Sequence, residues 1–208
     1  MNRMPVFQSG INVSIICEGQ EEFDYINRLK LLNVWSPKYN VEPINAIGNG
    51  NIPARYQDKY QNGTTSDIVF VFCDTEKKPY EQYEDIKRKI NYFHGKNASD
   101  KVVFYGNPCT MQIVIQHWDS VLLKSASKKQ NSLLIEEYTG IKNYNAHKDQ
   151  IEEMMKLITP ENYKSMVDRV SKLSNNDKMI GSSNFDVLMK YLESDNTEWT
   201  KEIIDYLE

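Results

Sequence analysis

Three carboxylates follow two apolar segments that have the composition of buried strands. Glu18 comes directly after Ile11–Cys17, and Asp74 and Glu76 come directly after the segment 67–73. In an open α/β sheet, ligands bind outside the carboxyl ends of the strands. Side chains at positions i and i+2 of an extended segment share one face, so Asp74 and Glu76 are both expected at that edge. Acids gathered there repel one another unless a cation lies between them, and carboxylate oxygens are the ligands that Mg²⁺ and Mn²⁺ prefer.

A cation held by Glu18, Asp74 and Glu76 would bind phosphate oxygens and activate a water for in-line displacement. These three side chains are therefore the candidate metal ligands and the candidate catalytic residues. The competing interpretation is that they cap helices, because acids that follow strands commonly do so. Lys77 and Lys78 come next and are candidate contacts of a phosphate backbone. The alternative for this lysine pair is a solvated loop.

The elements that must position these residues alternate between strands and helices over residues 1–123. This alternation predicts a parallel sheet with helices on both faces. The segment 110–123 is apolar, and its periodicity does not separate a helix from a strand. The predicted strands are 11–17, 41–47, 67–73 and 101–105, and the predicted helices between them are 21–32, 54–60 and 80–93.

From residue 124 onward the pattern is that of helices alone. Thr159 followed by Pro160 is a typical helix start. The sequence predicts an α/β core over residues 1–123 and a helical C-terminal region over 124–208 that packs on this core, with 125–130 as a flexible connection. The predicted helices are 132–138, 146–157, 160–173, 183–192 and 198–207.

The composition of the 208-residue chain excludes several classes of protein. Its apolar runs are too short for a membrane span, and residues 1–10 lack the long apolar run of a secretory signal. Three widely spaced cysteines are not a disulfide framework, so we expect a reduced, cytoplasmic setting. The net charge of −4 argues only weakly against nucleic acid, because the segment 77–178 carries an excess of basic residues.

The residues around the three acids resemble the RloB-like branch of the Toprim (topoisomerase–primase) superfamily. The segment 16–22 is similar to the family opening Cys-Glu-Gly-x-[Ser/Thr]-Glu, and the segment 70–76 lies where the family has an Asp-x-Asp strand end. Asn107-Pro108-Cys109, with His117 further on, resembles the family segment Asn-Pro-Cys-Phe-Glu-x-Trp-Leu-Leu-x-His-Phe. The order and spacing of the three motifs match over roughly residues 11–123.

The resemblance implies a Toprim fold and a Mg²⁺-dependent nuclease that cleaves DNA or RNA in phage defence or in a restriction-modification island, often beside an ATPase partner. It implies that Glu18 is a general base or a metal-linked carboxylate, and that Asp74 and Glu76 are metal ligands. Asn107 and His117 are further candidate contacts of the substrate. For His117, which lies in an apolar stretch, the competing interpretation is a hydrogen-bonded core histidine.

Departures from the family pattern leave other functions open. The second acid of Asp-x-Asp is Glu76 here, and Thr110-Met111 replaces Phe-Glu, so one carboxylate of the pattern is absent. The alternative function is therefore a non-catalytic Toprim-like binding or regulatory subunit of a defence system. A third option is a small-molecule phosphotransferase or nucleotide-binding protein, although the sequence lacks a P-loop.

Overall fold

A computed structural model describes residues 10–61, 66–76 and 80–208 of the chain. Over these ranges, four parallel strands form one sheet in the order β2-β1-β3-β4. The flanking elements are helices, so the predicted α/β class with a parallel sheet and a helical C-terminus is confirmed. The strands are β1 (Ile11–Cys17), β2 (Tyr39–Asn45), β3 (Ile68–Asp74) and β4 (Val103–Gly106).

The burial of the strands follows their sequence patterns. All six residues from Ile68 to Cys73 of β3 are buried, as its unbroken apolar run predicts for an inner parallel strand. In β2, Tyr39 and Val41 are buried while Asn40 and Glu42 are exposed. Pro43 is tolerated in β2 because this strand lies at an edge of the described sheet, where a missing amide donor costs little.

The helices of the first half cover the sheet, and the segments on either side of β4 differ from the prediction or resolve an alternative that it left open. Residues 99–102 form a helical turn, so the strand predicted from residue 101 begins at Val103. The apolar segment 110–123 contains a short helix and a 3₁₀ turn at Ile115–His117. These helices are α1 (Gln20–Leu31), α2 (Ile52–Gln61), α3 (Glu81–His94), α4 (Ser99–Val102) and α5 (Met111–Val114).

The C-terminal helices pack directly on the sheet. The ring of Phe185 lies 4.9 Å from that of Phe72, and the ring of Trp199 lies 6.0 Å from that of Phe70. One hydrophobic cluster therefore contains residues from both halves of the chain. These helices are α6 (Lys128–Thr139), α7 (Lys148–Leu157), α8 (Pro160–Val170), α9 (Phe185–Glu193) and α10 (Glu198–Leu207).

The outer edge of β4 is covered by two side chains that precede or begin α9. Asn184 Oδ1 accepts the amide of Tyr105 at 2.9 Å, and Asn184 Nδ2 donates to the carbonyl of Val103 at 2.9 Å. Ser183 Oγ donates to the carbonyl of Tyr105 at 2.7 Å. The free strand edge is thereby closed to pairing with another chain. Within the described ranges, no helix is both long and apolar enough to cross a bilayer.

Candidate functional site

The order of the strands places a crevice between the carboxyl ends of β1 and β3. From β1 the chain crosses to β2 on one side, and from β3 it crosses to β4 on the other, so the strand order reverses between them. Such a switch point is where open α/β sheets bind ligands. A cleft of about 680 Å³ lies there, and both Glu18 and Asp74 line it. Its described lining also includes Glu21, Glu22, Glu76, Cys109, Ser125, Ser127 and Lys128.

Glu18 and Asp74 are joined by a hydrogen bond. The backbone amide of Asp74 donates to Oε2 of Glu18 at 3.0 Å, and the amide of Glu18 donates to the carbonyl of Phe72 at 3.1 Å. Burial raises the pKa of Glu18 from 4.5 to about 7, with further contributions from the negative charges of Glu22 and Glu76. The structure therefore brings the two strand-end acids together, and it makes Glu18 a carboxyl group that titrates near neutral pH.

Thr110 holds one oxygen of Asp74. Its amide and its hydroxyl donate to Asp74 Oδ1 at 2.6 Å and 2.8 Å. A tight turn after β4 brings Thr110 to this place, since a Cβ on Gly106 would lie 2.6 Å from the carbonyl oxygen of Cys109. Burial, followed by the negative charges of Glu22 and Glu18, raises the pKa of Asp74 well above its usual range.

Glu22 is a third acid at the site, and the sequence reasoning did not select it. It is buried, and its Oε2 accepts the amide of Gly19 at 2.9 Å at the start of α1. Burial and the charge of Glu21 raise its pKa. The sequence does contain a signal for Glu22, because it lies on the same helical face as the buried residues Tyr25, Ile26 and Leu29. An acid is rarely buried on such a face unless it has a partner.

Glu76 lines the cleft from beyond the end of β3. Its backbone has a φ of 57°, so the extended geometry that predicted a shared face with Asp74 ends before Glu76. Its charge still contributes to the raised pKa of Glu18. Lys77 and Lys78, the candidate phosphate contacts, lie outside the described residues.

Asn107 has a different environment from the one expected of a substrate contact. It is fully buried, and its Nδ2 donates to the carbonyl of Asp177 at 2.6 Å. Its backbone amide donates to the carbonyl of Ser182, and its carbonyl accepts the amide of Gly181. The residue ties the end of β4 to the loop before α9, and it is not part of the described cleft lining.

His117 is a hydrogen-bonded core histidine, which was the competing interpretation of its apolar surroundings. Its Nδ1 lies 3.0 Å from Asn162 Oδ1, and its Nε2 lies 3.0 Å from the hydroxyl of Tyr25. An amide oxygen only accepts, so Nδ1 donates and Nε2 accepts from Tyr25. Burial lowers the pKa of His117 from 6.5 to about 4. The described cleft lining does not include it.

The start of α6 forms another wall of the cleft. Residues 125–130, predicted as a flexible connection, include Ser127, whose hydroxyl caps α6 by accepting the amide of Gln130 at 3.4 Å. Lys128 Nζ lies 2.9 Å from Glu21 Oε2, and the hydroxyl of Tyr144 donates to Glu21 Oε1 at 2.7 Å. These contacts join α1 to elements that follow more than 100 residues later, which local sequence patterns do not reveal.

The donor atoms of the cleft suit a hard divalent cation only in part. Glu18, Asp74 and Glu22 each use one oxygen in a hydrogen bond within the protein. Among the described residues, no three His, Cys, Asp or Glu side chains are placed to hold a metal ion together. Mg²⁺ commonly takes one or two carboxylates and completes its shell with water and phosphate oxygens. The acids present fit such an open site, but they do not form a closed ligand cage.

Comparison with models of known families, with curated proteins and with solved structures finds no match to this chain. The function is therefore argued from the cleft itself. The position of the acid missing from the Toprim-like pattern is occupied by Met111, which is buried in the hydrophobic core and is not part of the described cleft lining. The acids that line the cleft come instead from the ends of β1 and β3 and from the start of α1.

Proposed function

We propose that the chain is a Toprim-like nuclease that cleaves phosphodiester bonds of DNA or RNA with the help of Mg²⁺ or Mn²⁺, in phage defence or a restriction-modification island. The observation that carries the proposal is that Glu18 and Asp74 lie together at the switch point of the sheet, where the backbone amide of Asp74 donates to Oε2 of Glu18 at 3.0 Å. The resemblance of the surrounding motifs to the RloB-like branch supports the same activity. An ATPase partner belongs to the proposal through that resemblance alone.

Glu18 is the general base in this proposal. A base works best when its pKa lies near the working pH, and burial raises the pKa of Glu18 to about 7. Because the amide of Asp74 holds Oε2, the carboxyl group is fixed in position while Oε1 has no partner among the described residues. Glu18 would accept the proton of an attacking water at this oxygen.

Asp74, with at most one of its neighbours Glu22 and Glu76, would hold the cation in an open site whose shell is completed by water and phosphate oxygens. Burial, and after it the negative charges of neighbouring acids, raises the pKa values of Asp74 and Glu22. A cation bound beside them would therefore stabilise their ionised forms. When bound there, Mg²⁺ would supply a Lewis acid for the phosphate oxygens and lower the pKa of a water. Thr110 orients Asp74 by holding Oδ1, so that Oδ2 is the oxygen left for a ligand.

The alternative function is a non-catalytic binding or regulatory subunit, and two observations favour it. The described residues contain no closed set of three metal-ligating side chains, and Met111 stands where the family pattern has an acid. A cleft of this kind would still bind a cation or a phosphate without hydrolysing a bond. The two functions differ in turnover and not in binding.

Incubation with labelled single- and double-stranded DNA and RNA, in Mg²⁺, in Mn²⁺ and in chelator, tests the proposal. We expect metal-dependent cleavage of at least one substrate, and its loss in Glu18→Gln. Calorimetric titration with Mg²⁺ runs in parallel. Cation binding without cleavage of any substrate would favour the non-catalytic subunit, and cleavage that persists in chelator or in Glu18→Gln would overturn the proposed mechanism.

A further inference from the structure

Lys128 is the one basic side chain among the described residues that line the acid cleft. Its Nζ lies 2.9 Å from Glu21 Oε2, and its side chain is 42% exposed, so the ammonium group lies at the boundary between cleft and solvent. Burial lowers the pKa of Lys128, but the charge and hydrogen bond of Glu21, together with the charges of Asp74 and Glu22, outweigh burial and raise the pKa above its ordinary value. The group is therefore a permanent positive charge.

The contacts of Glu21 leave Lys128 with unused donors. Glu21 has one partner on each oxygen, Tyr144 on Oε1 and Lys128 on Oε2. An ammonium group has three N–H donors, and within the described ranges only this one hydrogen bond is made by Lys128. Two donors thus remain for a further acceptor at the cleft.

The backbone around Lys128 adds to the positive potential on the same wall. Residues Ser125 to Lys128 line the cleft and lead into α6, a helix of 12 residues. The amides of Lys128 and Lys129 begin this helix and have no partner in the described part of the chain. The positive end of the helix dipole therefore lies beside the lysine. The cleft has an acidic wall from β1, β3 and α1, and a basic wall from α6.

We propose that Lys128 binds a non-bridging oxygen of a phosphate ester whose other oxygens face the acidic wall. A phosphate cannot approach the five described acids that line the cleft without positive charge on its own side. Lys128 supplies part of that charge, and a cation on the acidic wall would supply the rest. The assignment of this phosphate as the bond that is cleaved rests on the proposed nuclease function. The binding of a phosphate ester by Lys128 does not depend on cleavage.

A purely structural role for Lys128 makes a different prediction. If the lysine only neutralised Glu21, removal of either partner would perturb the cleft to a similar extent. If it binds phosphate, removal of Glu21 releases the lysine from a competing anion. Glu21→Gln would then bind phosphate as tightly as the parent or more tightly, whereas Lys128→Met would bind it weakly.

Fluorescence anisotropy with a labelled oligodeoxythymidine of about 20 nucleotides tests the inference, with Ca²⁺ in place of Mg²⁺ to limit cleavage. We expect Lys128→Met to weaken binding roughly tenfold or more and to lower the slope of log affinity against log salt by about one. Lys128→Arg should restore most of the affinity. Lys129→Met is the matched control, because Lys129 is exposed and lines a separate surface depression.

A second arm uses thymidine monophosphate as a competitor. Displacement of the oligonucleotide at low concentrations of the mononucleotide would assign the site to free nucleotides, whereas weak displacement would assign it to a nucleic-acid backbone. Equal affinities of Lys128→Met and Lys129→Met would overturn the inference, as would equal losses in Lys128→Met and Glu21→Gln or no binding by the parent chain. Thermal unfolding of each variant checks that the fold is intact.

The binding assay also separates this inference from the proposed function. Binding that depends on Lys128 in a chain that cleaves no substrate would support the phosphate contact and reject the nuclease. Cleavage and binding that are both unaffected in Lys128→Met would support the nuclease and reject the phosphate contact.

Discussion

The backbone amide of Asp74, at the end of β3, donates to Oε2 of Glu18 at 3.0 Å. The end of β3 thereby fixes the carboxyl group of the residue that follows β1, the neighbouring strand. The donor belongs to the main chain, so the position of the Glu18 carboxyl group does not depend on the side chain at position 74. In the opposite direction, the amide of Glu18 donates to the carbonyl of Phe72. The two strand ends are fixed relative to each other, and the chemistry of each side chain can be altered separately.

The substitution Asp74→Asn is expected to abolish metal-dependent cleavage while the fold becomes more stable. The amide oxygen of asparagine can still accept both hydrogen bonds from Thr110, and the amide of residue 74 still holds Glu18. The substitution removes a buried charge that is crowded by Glu22 and Glu18, so we expect a gain of about 1 kcal/mol or more in the free energy of unfolding at pH 8. Urea unfolding and the cleavage assay measure the two effects.

The matched control for this prediction is Asp168→Asn. Asp168 is exposed and pairs with Lys172 one helical turn away, an interaction of small energy. We expect Asp168→Asn to have the same stability and the same cleavage rate as the parent chain. Cleavage at the parent rate in Asp74→Asn would reject a role for Asp74 in holding the metal.

The substitution Thr110→Val is expected to weaken metal binding and to shift the pH dependence of cleavage upward. Valine removes the hydroxyl that donates to Asp74 Oδ1 at 2.8 Å but leaves the backbone donor at 2.6 Å. Because the lost hydrogen bond favours the charged form of Asp74, the pKa of Asp74 rises further and a higher pH is needed to ionise it. We also expect a loss of about 1 kcal/mol in stability.

Thr110→Ser keeps the hydroxyl and is the matched control for this prediction. It should retain the metal affinity and the pH profile of the parent chain. A uniform loss of activity in Thr110→Val at every pH, without a change in Mg²⁺ affinity by calorimetry, would show that the hydroxyl does not act through Asp74.

The sequence predicts the parts of this molecule that depend on local pattern and topology. The unbroken apolar run of β3 identifies it as an inner parallel strand, and the rule that ligands bind at carboxyl strand ends selects Glu18 and Asp74 without further information. These features need only the neighbouring residues and the alternation of elements.

The parts that sequence reasoning missed depend on distant contacts. Lys128 and Tyr144 reach Glu21 because α6 and the loop before α7 fold back over α1, and no periodicity in the chain encodes this approach. The segment 125–130 is predicted as a connection, whereas Ser127 caps α6 and residues 128–130 belong to that helix. Asn107 lies in a motif, but its amide is used to secure the turn after β4.

The stability of the chain is expected to fall between pH 4.5 and pH 7 because of Glu18. Its pKa is about 7 in the folded state against an ordinary value of 4.5, so the folded chain binds more protons than the unfolded chain in this window. Stability from this group is therefore fully present below pH 4.5 and is lost as the pH rises through 7. Glu18→Gln removes the effect, and its gain over the parent should approach the order of 3 kcal/mol at pH 8.

Urea unfolding of both chains across this pH range measures the difference. Taking the difference between parent and variant cancels the contributions of groups that do not interact with Glu18. Loss of the Glu18 charge also reduces the rise in the pKa of Asp74, which adds to the stability of the variant at pH 8 in the same direction. Added Mg²⁺ should reduce the difference in the free energy of unfolding between Glu18→Gln and the parent at pH 8, because a ligand of the native state stabilises the chain that binds it better. A stability difference between the two chains that stays constant from pH 4.5 to pH 8 would contradict the raised pKa of Glu18.

His117 is expected to oppose this trend. Its pKa is about 4 when folded against an ordinary 6.5, so the unfolded chain binds more protons between these values. The stability from the neutral ring is fully present above pH 6.5 and is lost as the pH falls towards 4. His117→Leu leaves the hydroxyl of Tyr25 and the amide oxygen of Asn162 without this partner, and we expect a loss of about 2 to 4 kcal/mol at pH 7.

Cleavage and stability together decide whether His117 acts in the core or at the cleft. If His117 is a core residue, His117→Leu should cleave at a rate per folded molecule close to that of the parent. The free energy of unfolding of His117→Leu should also fall less than that of the parent between pH 7 and pH 5. His147→Leu is the control, since His147 is exposed at the start of α7. A His117→Leu chain with parental stability and no cleavage would instead assign His117 to the reaction.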